Sequence, residues 1–172
     1  VSSYTFENVT AGHTIQAVFA EQPFQFSDVD PNGWAAPYIY GLYEQGIVDG
    51  IGGNLFAPTR SITRAEFVKL LAGAAGVKDE DLSKDSSTFT DVEHGSWYEP
   101  YVIWAVENKV ATGTSATTFA PTALITRQEM ATMLYRYAEN SGIELPETVA
   151  ASAFADADSI SDWAADAVSA MQ

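Results

Sequence analysis

Apolar residues recur at helical spacing in two stretches of the chain, and each stretch follows the same polar start. Residues 63–66 read Thr-Arg-Ala-Glu, and residues 126–129 read Thr-Arg-Gln-Glu. A threonine followed three residues later by a glutamate is a capping box, in which hydroxyl and carboxylate satisfy first-turn amides reciprocally. The pattern therefore predicts helices that begin at Arg64 and Arg127. Their apolar faces contain Phe67, Leu70, Leu71 and Ala74 in the first stretch, and Met130, Met133, Leu134 and Tyr137 in the second.

A further apolar stripe at helical spacing precedes each capping box. These stripes contain Ala35, Ile39 and Leu42 in the first stretch, and Val102, Trp104 and Val106 in the second. Between stripe and box, residues 48–58 read Val-Asp-Gly-Ile-Gly-Gly-Asn-Leu-Phe-Ala-Pro, a composition that favours tight turns over regular structure. Each stretch is therefore predicted to form a helix, a loop and a second helix.

The same short sequences return at a constant offset. Phe-Ser-Asp-Val at Phe26 matches Phe-Thr-Asp-Val at Phe89, and the 63-residue offset persists as far as the arginines of the two capping boxes. A third copy, Phe-Ala-Asp-Ala, begins at Phe154, and the sequence stops within its predicted first helix. We therefore predict a mainly α fold of tandem helix-loop-helix repeats. The predicted units are residues 23–78, residues 86–142 and a partial third unit at residues 151–172.

Residues 1–22 have a different character. They are rich in threonine, valine and aromatic residues, which is typical of short strands. We predict that this segment is the tail of a preceding β-domain, so that the sequence starts inside a longer protein.

The composition indicates a globular chain with an acidic surface. Its 172 residues are 47% hydrophobic, and 23 acidic residues against eight basic ones give a net charge of -15. Nucleic acid is not an expected partner, because nucleic-acid binders need a basic face. Cysteine is absent, which excludes disulfides, thiolate metal sites and a cysteine nucleophile. No apolar run approaches the roughly 20 residues that would span a bilayer.

The repeated motifs together resemble the S-layer homology family. They are Phe-x-Asp-Val, the tryptophan that follows it, the glycine-bounded loop, Phe-Ala-Pro and Ile-Thr-Arg-x-Glu. The resemblance covers about residues 24–172, and it implies three units packed about a pseudo-three-fold axis. It also implies grooves that bind the pyruvylated end sugar of a secondary cell-wall polysaccharide. The expected function is non-covalent anchoring at the surface or cell wall of a bacterium.

The implied ligand carries a carboxylate, which a planar guanidinium can hold through two parallel hydrogen bonds. Arg64 and Arg127 are the candidates, because free amides and the positive end of the dipole at a helix start also favour an anion. Trp34 and Trp97 could supply flat faces for sugar rings. The remaining candidates are Asp28 and Asp91, as acceptors from sugar hydroxyls or from the backbone of the groove, and the capping-box residues Glu66 and Glu129.

Each candidate also has a purely structural interpretation. The glutamates cap helices, the arginines can pair with acidic neighbours, the tryptophans can lie in the core, and the aspartates can hold loops. The second unit departs from the family pattern at Lys109, at Gln128 and in its loop, Gly-Thr-Ser-Ala-Thr-Thr-Phe-Ala-Pro. We therefore expect the groove of the second unit to be the weaker one.

Two other functions, calcium binding and glycoside hydrolysis, fit the sequence less well. Residues 28–33 read Asp-Val-Asp-Pro-Asn-Gly, like the start of an EF-hand, but Ile39 occupies the position of the bidentate glutamate, so no metal site is predicted. A glycosidase would need a defined carboxylate pair, which abundant acidic residues do not establish. We expect no cofactor and no catalysis. The open alternatives are a repeat segment without ligand binding and an accessory segment of a surface glycoside hydrolase.

Overall fold

A computed structural model describes residues 10, 12, 24–146 and 154–172. The β segment predicted over residues 1–22 lies outside the described residues, apart from residues 10 and 12. Within the described part the chain forms five α-helices and short 3-10 turns, which confirms the mainly α prediction. The helices are α1 (Ala36–Glu44), α2 (Arg64–Ala74), α3 (Glu99–Glu107), α4 (Arg127–Asn140) and α5 (Ala165–Ala170), and the turns are Asp79–Asp81, Ala157–Ser159 and Asp162–Ala164.

The capping boxes set the starts of α2 and α4, as predicted. The Thr63 hydroxyl accepts from the Glu66 amide at 3.2 Å, and the Glu66 carboxylate accepts from the Thr63 amide at 2.7 Å. The corresponding distances at Thr126 and Glu129 are 3.4 and 2.8 Å. Both second helices therefore begin at the arginine that follows the threonine.

The first helices, α1 and α3, start without a side-chain cap and carry a proline in the opening turn. That position tolerates proline because its amide has no partner within the helix. Each helix is followed by one residue in the left-handed conformation, Gly46 with φ of 69° and Lys109 with φ of 57°. Glycine adopts this conformation at little cost, whereas lysine has a Cβ that disfavours it.

The second helix of one unit packs against the first helix of the next. Helix α2 contacts α3, and α4 contacts α5 and the turn before it. The main core lies between the first two units, with Phe67, Val68, Val102, Ala105 and Phe119 among its buried residues. Helix α1 contacts none of the other described helices and packs instead on its own unit through Phe26, Val29 and Ile39.

The partial third unit completes the surface of α4. Ala164 and Ala167 are buried there, as small residues that allow close approach. Trp163, by contrast, is 55% exposed. The alternation of second and first helices fits a pseudo-three-fold arrangement, which stays a prediction.

Candidate functional site: grooves between the units

Two grooves lie where successive units meet. The second groove, of about 370 Å³, lies between α4, the loop at residues 112–114 and Trp163 of the third unit, with Arg64 reaching in from the first unit. The first groove, of about 480 Å³, lies between α2, the loop at residues 47–51 and Trp97 of the second unit. In both grooves the tryptophan comes from the unit after the one that supplies the loop.

Arg64 is bound tightly at the edge of the second groove, and only 4% of the residue is exposed. Its Nε donates to the Phe119 carbonyl at 2.9 Å, and one Nη donates to the Thr112 carbonyl at 3.2 Å. The other Nη donates to Glu129 at 2.6 Å, and the guanidinium carbon lies 4.9 Å from the centre of the Phe119 ring. Arg64 thus fastens the first unit to the loop and second helix of the next.

The start of α2 is not a free anion site, which corrects the expectation drawn from its position. The Arg64 amide donates to the Ala123 carbonyl at 2.9 Å, and the Ala65 amide donates to the Pro121 carbonyl at 3.0 Å. The approach segments of α2 and α4 also pair through an antiparallel bridge between Thr63 and Leu124. The second unit therefore supplies the acceptors that a ligand would otherwise supply.

Each capping-box glutamate pairs with an arginine, but one arginine comes from the same unit and the other from the preceding unit. Glu129 accepts from Arg64 of the preceding unit, whereas Glu66 accepts from Arg60 of its own unit at 2.8 and 3.3 Å. The hydrogen bond from Arg60 is the largest cause that lowers the pKa of Glu66. Burial raises the pKa of Glu129, but its bonds from Thr126 and the charge of Arg64 outweigh burial, so that pKa is also lowered.

Arg127 takes a different position from Arg64, although the repeat makes the two equivalent. Its side chain is exposed and lines neither groove. It forms no ion pair with the acidic side chains of the described residues. Arg127 therefore lies on the exposed surface of the second unit, outside both grooves.

The fold places the two candidate tryptophans on different surfaces. Trp97 is 54% exposed and lines the first groove, as a sugar platform would. Trp34 is 86% exposed on the open side of the first unit and lines neither groove. Trp163 takes in the second groove the position that Trp97 has in the first, and the third Phe-x-Asp copy was the sequence signal for it.

Asp28 and Asp91 shape the loops beside the grooves. Each carboxylate accepts from two successive amides, Asp28 from Phe56 and Ala57 at 2.8 and 2.7 Å. Asp91 makes the matching bonds to residues 119 and 120 at 2.8 and 2.7 Å. The bond from the Phe56 amide is the first cause that lowers the pKa of Asp28. In this structure both carboxylates therefore accept from the loop backbone, which is one of the two roles considered for them.

Ala57 and Ala120 show why those loops need such anchors. Both residues have positive φ, 60° and 57° respectively, a conformation that a side chain disfavours. Two charge-assisted bonds to each loop compensate for that strain. Gly50 and Gly113 lie in the same loops where an added Cβ would come within 2.6 Å of backbone oxygens, so the chain turns too closely for any side chain.

His94, Ser86 and Glu99 lie together without forming a catalytic relay. The Ser86 hydroxyl and the Glu99 carboxylate both contact the same imidazole atom, Nδ1, at 3.1 Å. A nucleophile and its orienting acid must instead use the two different ring nitrogens. Glu99 also accepts from the Ser87 and Gly95 amides, which identifies the cluster as the brace of a loop before α3.

No cluster of three His, Asp or Glu side chains in the described residues could hold a metal ion. None of the helices described is both long enough and apolar enough to cross a bilayer.

The comparisons with known proteins bear on these grooves directly. The family model of the S-layer homology domain matches residues 25–68 and 88–131. The chain belongs to the S-layer homology domain family. The two matched segments lie within the first and second units, and they contain the loops of both grooves and the starts of both second helices. Membership places the chain at the bacterial cell surface or cell wall.

Several known proteins are similar to this chain over part of their own length. An endoglucanase of Bacillus sp. (strain KSM-635) is 38% identical over 148 residues, which cover 84% of this chain and 15% of the relative. A surface-layer 125 kDa protein of Lysinibacillus sphaericus is 32% identical over 77% of this chain and 10% of its own length. A cellulosome-anchoring protein of Acetivibrio thermocellus is 35% identical over 54% of this chain and 21% of its own length. The chain thus spans a small part of each relative.

Proposed function

We propose that this chain is a non-catalytic anchoring module that binds the pyruvylated end sugar of a secondary cell-wall polysaccharide. The observation that carries the proposal is the composition of the second groove, which is lined by an exposed tryptophan, Trp163, and by two arginines, Arg64 and Arg136. An indole face suits a sugar ring, and guanidinium is the cation whose geometry best matches a carboxylate.

The charge of the whole chain makes a local site necessary. At a net charge of -15, the protein as a whole repels an anionic polymer, so attraction must come from a local cluster of positive charge. The first groove has the same architecture, with Trp97 and Glu66, and it is the proposed second binding site of the module. In that proposal Asp28 and Asp91 act through the loops that they hold in place.

The test compares two exposed tryptophans. Trp163→Ala should reduce sedimentation of the purified chain with bacterial wall sacculi that retain their polysaccharide, whereas Trp34→Ala, outside both grooves, should not. Sacculi stripped of the polysaccharide, or treated with mild acid to remove the pyruvate ketal, should bind neither the unmodified chain nor the Trp34→Ala variant. Equal binding to intact and stripped sacculi would leave the repeats without this ligand and would contradict the proposal.

An endoglucanase among the relatives favours a second role, as the wall-attachment segment of a larger surface glycoside hydrolase. In that case the purified chain should bind wall material without hydrolysing it. Release of reducing sugar from wall polysaccharide by the chain itself would contradict the non-catalytic assignment.

A further inference from the structure

We infer that recognition of the ligand's anionic group is confined to the second groove and that Arg136, a residue without a counterpart in the first unit, makes that contact. The inference rests on the proposed function, since it assigns a residue to the ligand that the module is proposed to bind. It begins with the charges that line the two grooves.

In the first groove, each positive charge has an acidic partner. Arg60 bonds to Glu66 at 2.8 Å, and Lys69 lies 3.5 Å from Asp49. All four side chains line the same groove, so their charges cancel. The rest of that lining is largely apolar, with residues such as Ile51, Phe56 and Leu70. The first groove therefore offers a sugar an apolar surface without net positive charge.

In the second groove, two guanidiniums face one carboxylate. Arg64 is paired with Glu129, which leaves Arg136 as the uncompensated charge of the lining. Arg136 forms no ion pair with any aspartate or glutamate side chain of the described residues. Among the described residues, the lining of the second groove thus carries one net positive charge on a strongly acidic protein.

Arg64 is poorly placed to be the contact. Three of its five N–H groups are already donated, to Phe119, Thr112 and Glu129, and the residue is almost entirely covered. A ligand carboxylate would have to displace internal bonds to gain the two-pronged geometry. Arg64 is therefore a positioning residue, which fixes the loop at residues 112–114 and the carboxylate of Glu129 at the edge of the groove.

Arg136 is placed to act where Arg64 cannot. It lies on α4 one turn after Thr132 and Met133, which line the same groove and share its helical face. It is half-buried, and it lines the groove together with Met133 and Trp163, an environment in which an ion pair is stronger than in open water. The apolar surface holds the sugar ring and Arg136 receives the charged substituent.

The repeat provides an internal comparison. At the 63-residue offset, the position of Arg136 corresponds to Gly73, and the position of Arg60 corresponds to Ala123. Each groove therefore has one arginine that the other lacks. The arginine of the first groove is neutralised by its own unit, whereas the arginine of the second pairs with no carboxylate in the described part of the chain. The ligand of the second groove is thus a sugar bearing a single small anionic group, and we assign that group as the carboxylate of the proposed pyruvate ketal.

The test uses a hexoside that carries a pyruvate ketal, and the methyl ester of the same compound, which has nearly the same shape but no charge. Both are titrated calorimetrically into the full chain and its variants at one salt concentration. Arg136→Gln should weaken binding of the acid by about 10- to 100-fold, the usual effect of removing a charge-assisted hydrogen bond, and leave ester binding unchanged. Arg136→Lys should restore part of the loss.

A matched variant serves as the control. Arg127→Gln removes a guanidinium from the same helix outside the grooves and should bind the acid within about twofold of the unmodified chain. Arg60→Gln, which removes an arginine from the lining of the first groove, tests whether that groove receives the charged group. Arg64→Gln should weaken the acid and the ester in parallel, because it disturbs the shape of the groove and not the recognition of charge.

The outcomes separate this inference from the proposed function. If the unmodified chain binds neither compound, the proposed function fails and the inference fails with it. If it binds the acid and Arg136→Gln binds equally well, only the inference is overturned, and a loss in Arg60→Gln would move the site to the first groove. Inorganic phosphate that competes as well as the ketal acid would identify a phosphate site and overturn the choice of a carboxylate.

Discussion

The Arg64 side chain of the first unit donates to the Glu129 carboxylate of the second at 2.6 Å, between the starts of two helices that the repeat makes equivalent. The same glutamate caps α4 through Thr126. Helix capping and the joint between units therefore share one side chain. This relationship couples the stability of each unit to that of its neighbour.

Arg64→Ala should lower the free energy of unfolding by about 2 to 4 kcal/mol, because it leaves Glu129 unpaired and two carbonyls without their donor. Urea unfolding of Arg64→Ala, Glu129→Ala and the double variant would measure the coupling between the two side chains. The control is Arg127→Ala, at the equivalent but exposed position, with a change within about 0.5 kcal/mol. Strictly additive effects in the double variant would show that the pair is not coupled.

Loss of either threonine cap should cost about 1 kcal/mol of unfolding free energy, because the first-turn amide would lose its acceptor. Thr63→Ala and Thr126→Ala test the two equivalent helices by thermal or urea unfolding. Thr122→Ala, an exposed threonine outside the helices, is the matched control and should be nearly neutral. If Thr63→Ala and Thr126→Ala change the free energy of unfolding no more than Thr122→Ala does, the capping boxes do not stabilise the helix starts.

Lys109→Gly should raise the free energy of unfolding by about 0.5 to 1 kcal/mol. The residue has φ of 57°, which is strained for lysine and ordinary for glycine, and the strain outweighs the added freedom of the unfolded chain. The reverse experiment is Gly46→Ala at the equivalent end of α1, which should destabilise by a similar amount. If Lys109→Gly instead lowers the free energy of unfolding, the lysine side chain must stabilise the fold by more than the backbone strain costs.

Removal of residues 154–172 should destabilise the second unit, because it uncovers the face of α4 against which Ala164 and Ala167 pack. We expect a loss of about 1 to 3 kcal/mol in the free energy of unfolding, a typical range for disrupted packing. Trp163→Ala in the complete chain is the control, since it opens the groove and leaves both alanines buried. Unchanged melting of the shortened chain would show that α4 is stable without the third unit.

Acid should destabilise the fold through the capping-box glutamates. The pKa values of Glu66 and Glu129 are lowered in the folded chain, so their contribution is present above the unfolded pKa of about 4.3 and is lost as the pH falls through the folded values. Urea unfolding should show a declining free energy below about pH 4.3. The Glu66→Gln and Glu129→Gln double variant should show a shallower decline, and an unchanged decline would assign the effect to other carboxyls.

Local order along the chain could be predicted because its causes lie within a few residues. Thr63 and Glu66 meet across three positions, and the same pair recurs at Thr126, so both helix starts follow from the sequence. The glycine-rich composition of residues 48–58 likewise predicted a loop between the helices, whereas the bond from its Phe56 amide to Asp28 spans 28 residues and was not predicted as such. The sequence also indicated the family through these motifs, and the family model confirms it.

Equivalent positions in the repeat differ in ways that the local sequence does not contain. Ala105 is fully buried because α3 packs on α2, whereas Leu42, its counterpart in α1, is 39% exposed because no described helix covers α1. Trp34 and Trp97 follow the same motif, yet of the two only Trp97 lines a groove, which it shares with the loop and second helix of the preceding unit. Which copy of a repeated residue becomes core, groove or open surface depends on the neighbouring unit.

By itself, the sequence determined the helix starts, the two complete units and the family, because capping and helical periodicity act over three or four residues. Only the tertiary structure decided the roles of the arginines. Arg64 finds its partner 65 residues away, and Arg136 lines a groove closed by Trp163 from another unit. Such contacts depend on how whole units pack against one another, and that packing is a sum of many long-range contacts that no short motif records.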